Sequence, residues 1–163
     1  YALRVLRELR WHGADALAQR LSTAALARRD TSGAPLERVE LLLYAGKIGQ
    51  AAALADSTRR SAPKNAEALL WSGMLAALRK DRASATGAVQ DLQRLVRPYD
   101  LGWTPWRSAQ IVAVLGDRDE AVRLLERAYM EGRSFVYDQY YHARFGLEPL
   151  RGFPPFEAFI KPK

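Results

Sequence analysis

The side chains able to do chemistry in this sequence are few and scattered. Its two histidines, His12 and His142, stand far apart and in no metal-ligand spacing, so a zinc site would have to recruit distant carboxylates. Both read as helix-end or capping residues. Ser22, Ser72 and Ser108 lie in helical stretches without the sharp strand-to-helix turn that exposes a nucleophilic serine. No glycine-rich phosphate loop follows a strand. Asp117, Asp119 and Glu120 form a short acidic group, which a capping box at a helix start explains. With no cysteine, disulfides and thiol catalysis are excluded, and either cytoplasm or periplasm is compatible, the cytoplasm favoured. Nothing points to an enzyme, a cofactor or a metal.

Charge is the next candidate. The net charge is +7, and an acidic partner or nucleic acid would be met by basic residues gathered on one face with stacking aromatics nearby. Here Arg28-Arg29, Arg59-Arg60 and Arg79-Lys80-Arg82 fall where helices end, where positive charge complements the helix dipole. Solvated helix ends are therefore the favoured reading and nucleic acid is disfavoured. An electrostatic binder remains the alternative. No stretch approaches the length needed to span a bilayer, and no signal-peptide arrangement is present. Tyr1 already lies in a helical pattern, which suggests a piece of a longer protein.

The elements that must position these groups are announced by a period. Ala18, Ala51, Ala85 and Ala121 recur at intervals of 33, 34 and 36 residues. Five residues before them stand Gly13, Gly46, Lys80 and Gly116, and seven after stand Ala25, Thr58, Leu92 and Ala128. Between these marks apolar or small residues keep the spacing of one helix face: Leu6 and Leu9, Val39 and Leu42, Gly73 and Ala76, Ala109 and Val112. The glycines suit a left-handed residue that ends the first helix of each pair. Pro63 closes the second pair, and Thr104-Pro105 reads as a cap followed by proline in the first turn. Small residues in such a register mark a stack of one repeated supersecondary unit.

The stretches LLLYAGKIGQAAALADSTRRSAP (41–63) and AVLGDRDEAVRLLERAY (113–129) resemble tetratricopeptide repeats. Both carry the inter-helix glycine and the alanine of the second helix, and the second adds the acidic pair before that alanine. Lys80 departs from the pattern, as do Ser22, Ala55, Val89 and Leu125 where an aromatic is expected. The resemblance implies an all-α, right-handed α-solenoid of about four helix hairpins over 1–30, 34–63, 65–98 and 102–133, with 134–163 as a C-terminal capping segment. The string LEPLRGFPPFEAF resembles the end of tetratricopeptide regions fused to bacterial transcriptional activators, adenylate cyclases and serine/threonine kinases.

The tail is aromatic: Phe135, Tyr137, Tyr140, Tyr141, Phe145, Phe153, Phe156 and Phe159. Leu147, Leu150, Phe156 and Phe159 suit a cover over the exposed end of the fourth hairpin. A ligand site built from the tyrosines is the rival reading. In a stack of the resembled type the first helices line a concave face, which implies a groove of Leu3, Arg7, Arg10, Trp11, Leu36, Glu40, Leu43, Tyr44, Glu67, Leu70, Met74, Trp103, Trp106 and Gln110. Relatives that grip a peptide's terminal carboxylate use lysine and asparagine there, and that set is absent. A mixed, largely apolar row suits aromatic anchors in a protein interface. The expected function is protein–protein interaction: a peptide or partner segment held in this groove, as a regulatory or scaffolding part of a bacterial signalling protein. A small-molecule sensor and a structural or dimerisation spacer are the other readings. Trp11, Trp103 and Trp106 serve equally well as core between hairpins.

Overall fold

A computed structural model describes residues 2–28, 35–95, 98–133 and 145–161. Among the described residues there are nine α-helices and no strand: α1 (Ala2–Trp11), α2 (Asp15–Ala27), α3 (Pro35–Tyr44), α4 (Ile48–Ser61), α5 (Ala66–Leu78), α6 (Arg82–Arg94), α7 (Trp103–Leu115), α8 (Arg118–Met130) and α9 (Pro154–Ile160). A 3-10 turn covers Glu148–Leu150. The protein is all-α, with consecutive helices packed on one another.

Each odd-numbered helix from α1 to α7 reverses into the next helix by one and the same hydrogen-bond pattern. The amide of Gly13 donates to Arg10 and that of Ala14 reaches back to Leu9; the pairs recur at Gly46 and Lys47, Lys80 and Asp81, and Gly116 and Asp117. This is the Schellman closure, which requires a left-handed residue at its first position. The three glycines have φ between +74° and +95°, and Lys80 adopts +64° in the place where glycine is missing. The closure thus survives the substitution, against the steric penalty of a β-carbon in that region.

Ala18, Ala51, Ala85 and Ala121 are all fully buried, each on the second helix of its hairpin. A methyl group there lets paired helices approach closely, and a larger side chain would force them apart. Between hairpins the contacts also follow a rule. Each even helix up to α6 packs on its own partner and on the following odd helix, and odd helices touch odd helices: α1 on α3, α3 on α5, α5 on α7. The α5–α7 approach depends on Gly73, where a β-carbon would lie 2.6 Å from Ile111 Cδ1 and 2.8 Å from Ala88 Cβ. The core runs along the chain as contiguous apolar clusters, the largest from Val39 through α5 to Ile111, and the next joining α7 and α8 to Leu147, Leu150 and Phe156.

Two helix starts differ from expectation. Asp117 does not cap α8 with its side chain; its carboxylate instead pairs with Arg82, at 2.6 Å from Nη1. A bidentate guanidinium at the start of the preceding second helix outcompetes a neutral amide for the same oxygens. Helix α7 begins at Trp103, one residue ahead of Thr104, and the capping group is Asp100, which accepts from the Thr104 amide at 2.6 Å. Asn65 and Asp81 cap α5 and α6 through their side chains.

Candidate functional site

The odd helices present a common side, and the C-terminal segment lies along it. Gly146 stands against Met74 of α5 and Gln110 of α7. Phe145 sits between two aromatic rings, 5.4 Å from Tyr44 of α3 and 5.5 Å from Trp71 of α5. Leu147 and Leu150 are fully buried against α7 and α8. Further on, Arg151 donates to the Trp11 carbonyl, and Phe156 meets the Trp11 ring edge-on at 6.5 Å. Helix α9 packs on α8, with Phe159 perpendicular to Tyr129. Residues 145–161 therefore pack on α7 and α8 and also reach α1, α3 and α5.

Two polar groups fix the segment. With its amide oxygen and nitrogen exchanged, the orientation that satisfies both, the Gln110 side chain donates to the Phe145 carbonyl at 3.0 Å and accepts from Trp106 Nε1 at 3.1 Å. In that orientation both ends of this buried amide are satisfied, which is what makes a buried polar side chain tolerable. Glu148 turns back on its own chain and accepts from the Gly146 amide at 2.7 Å. Burial holds the Glu148 carboxyl above the usual range; hydrogen bonds from its own amide and Gly146, with Arg10, pull it down, and Glu40 nearby adds to the rise.

Beneath the segment lies an ionic cluster. Arg7 grips Glu40 with two parallel bonds, Nε to Oε1 at 2.7 Å and Nη2 to Oε2 at 2.6 Å. Glu40 is only 2% exposed. The Tyr44 hydroxyl donates to the same carboxylate at 3.2 Å. Burial, and next the Glu40 charge, hold the Tyr44 hydroxyl far above the usual tyrosine range, so it remains a donor. Removing Arg7 would leave a charge buried without its main partner, the costly way to break such a pair. Alongside, Arg107 pairs with Glu67 at 3.5 Å and lies over Trp103, whose ring also carries Arg133 at 3.6 Å. A cavity of about 50 Å³ separates these groups, bounded by Arg7, Glu40, Trp71, Trp106, Arg107 and Phe145.

Of the expected groove residues, Arg7, Glu40, Glu67, Leu70, Trp103, Trp106 and Gln110 line this cavity, and the set differs in exposure. Tyr44, Leu70, Met74, Trp106, Glu40 and Gln110 are buried. Arg7, Arg10, Trp11, Leu43, Leu3, Leu36 and Glu67 are half-buried, and Trp103 is exposed at 39%. The buried anchors lie beneath the protein's own tail. Sequence reasoning passed over Trp71 and Arg107, which share one position, fourteen residues before Ala85 and Ala121; that shared offset was the available signal. His142 and Phe135, Tyr137, Tyr140 and Tyr141 lie outside the described residues, as does Arg29. His12 is exposed, 3.8 Å from Glu8. Arg59 pairs with Asp91 and Arg82 with Asp117, each linking successive second helices. Among the described residues no helix is long and apolar enough to cross a membrane, and no group of histidine and acidic side chains could hold a metal ion.

No family model matches the chain, and neither a curated protein nor a solved structure matches it.

Proposed function

We propose that this chain is a right-handed α-solenoid of the tetratricopeptide type, and that its work is to hold a segment of a partner protein along the side formed by α1, α3, α5 and α7. The registered alanines and the four identical helix reversals support the repeat. The observation that carries the function is the path of residues 145–150, which lie across that side between Tyr44, Trp71, Met74 and Gln110. A surface that orders a short peptide by aromatic contacts, one backbone hydrogen bond and a close glycine approach has the features by which grooves recognise extended segments. Binding rather than catalysis is the reading, because Arg7, Glu40, Tyr44 and Gln110 are engaged with one another or with the tail. The parent is a bacterial signalling or regulatory protein, on the resemblance of residues 147–159 alone.

The test is selection from a random peptide library, using the full chain and its Phe145→Ala variant, at low and high salt. Groove binding predicts selected peptides with aromatic anchors, affinities that change little with salt, and crosslinks to the odd helices. Affinity that collapses steeply with salt would overturn the reading in favour of a polyanion bound through the arginines.

A further inference from the structure

The slot along α3, α5 and α7 carries a chemical specification, and the geometry points to its ligand: a partner segment with an aromatic residue, then glycine, then an aliphatic residue, then an acid. The inference rests on the groove reading above and names what the groove takes. Residues 145–148 occupy the slot from within the same chain and compete with that partner.

Each position of the motif follows from a contact. The aromatic position is set by Tyr44 and Trp71, whose rings flank Phe145 at 5.4 and 5.5 Å in edge-on and tilted arrangements. Such pairs contribute beyond simple area burial. The second position favours glycine on two independent grounds. Gly146 has φ +91°, and a β-carbon there would lie 2.8 Å from Met74 Sδ and 3.2 Å from Gln110 Cβ. The third position enters the fully buried cluster of Trp106, Ala109 and Val112, where Leu147 has no exposure. At the fourth, a carboxyl closes the turn by accepting from the glycine amide, with Arg10 favouring its charge and burial and Glu40 opposing it. The Gln110 amide binds the backbone of the aromatic residue, a contact that any sequence in this register would make.

The experiment uses a labelled decamer with the sequence of residues 143–152, ARFGLEPLRG, and full-length protein. Phe145→Ala removes the ring that anchors the internal segment while leaving the slot intact. Its spectrum should match that of the wild type, and it should bind the decamer at least about tenfold more tightly. A decamer with alanine for glycine should bind at least about thirtyfold more weakly than the original, the scale of a lost hot spot. A second protein has a protease site inserted between Arg133 and Ser134 and is cut after purification. Its tail fragment should remain attached and exchange with excess decamer. This keeps the test open if Phe145→Ala does not fold. If the folded variant selects library peptides but ignores the decamer, the motif is wrong while the groove stands. If it binds nothing, both fall. A cut tail that never exchanges would make the segment core rather than ligand, and dimers formed by exchanged tails would replace the partner with a second copy.

Discussion

Helices α1 and α5 occupy the same place in their hairpins and are built in opposite ways. In α5 ten consecutive residues, Ala68 to Ala77, are buried, so the helix is apolar around its whole circumference. In α1, among the described residues, Leu6 is the buried hydrophobic one, while Val5 is half exposed. The difference is one of neighbours. Helix α5 is packed by α3, α4, α6 and α7, and Phe145 lies against its Trp71. Helix α1 has α2 and α3, and meets the tail at its C-terminal end through Trp11. A helix packed on every side has no solvent-facing stripe to keep, and α5 has none between Ala68 and Ala77.

Deletion of side chains should separate the two helices most strongly. Leu75→Ala in α5 removes a side chain that is 1% exposed, and should cost about 2–5 kcal/mol. Val5→Ala in α1, at 52% exposure, should stay within about 0.5 kcal/mol. Chemical denaturation of both variants measures the contrast, and equal losses would break it.

Glycine sharpens the same comparison at the next level of effect. Gly73→Ala would place a methyl against Ile111 and Ala88 and should cost about 1–3 kcal/mol. Gly49→Ala in α4 meets nothing within 4 Å and should stabilise the chain by about 1 kcal/mol through helix propensity. Opposite shifts in melting temperature are the expected outcome.

These positions also show how far the sequence could be read. The alanine register and the glycine before it identified the hairpins, because close helix approach and a left-handed reversal each demand a particular residue type. Lys80 did not obscure the third hairpin, since backbone geometry there is imposed by the helices on either side. The tetratricopeptide resemblance implied one shared side for Leu70, Met74, Trp106 and Gln110. Their cover was not legible: residues 145–150 repeat nothing, and a period carries no information about a stretch outside it. Asp117 illustrates the same limit, because local spacing predicted a cap while a guanidinium 35 positions away claimed the carboxylate.

A smaller effect should come with pH. The Glu148 carboxyl titrates in the usual glutamate range when unfolded and above it when folded. Its contribution is fully present below the unfolded value and is lost as pH rises through the folded one. Stability should therefore fall over that interval in the wild type and hold in Glu148→Gln, which keeps an acceptor for the Gly146 amide. Parallel profiles by thermal melting would contradict the raised titration of this carboxyl. The smallest effect belongs to the exposed Arg82–Asp117 pair. Asp117→Asn should produce a slight loss of stability that vanishes at high salt, since solvent-exposed ion pairs are weak and screened.

The central claim is that the tail lies along the odd helices, and a photo-crosslink measures this most directly. A benzophenone side chain replacing Phe145 in the full chain should, on illumination, attach to Tyr44, Trp71 or Met74 of the same molecule, as mapped by mass spectrometry. Attachment to the even helices, between molecules only, or to no protein residue would contradict the account.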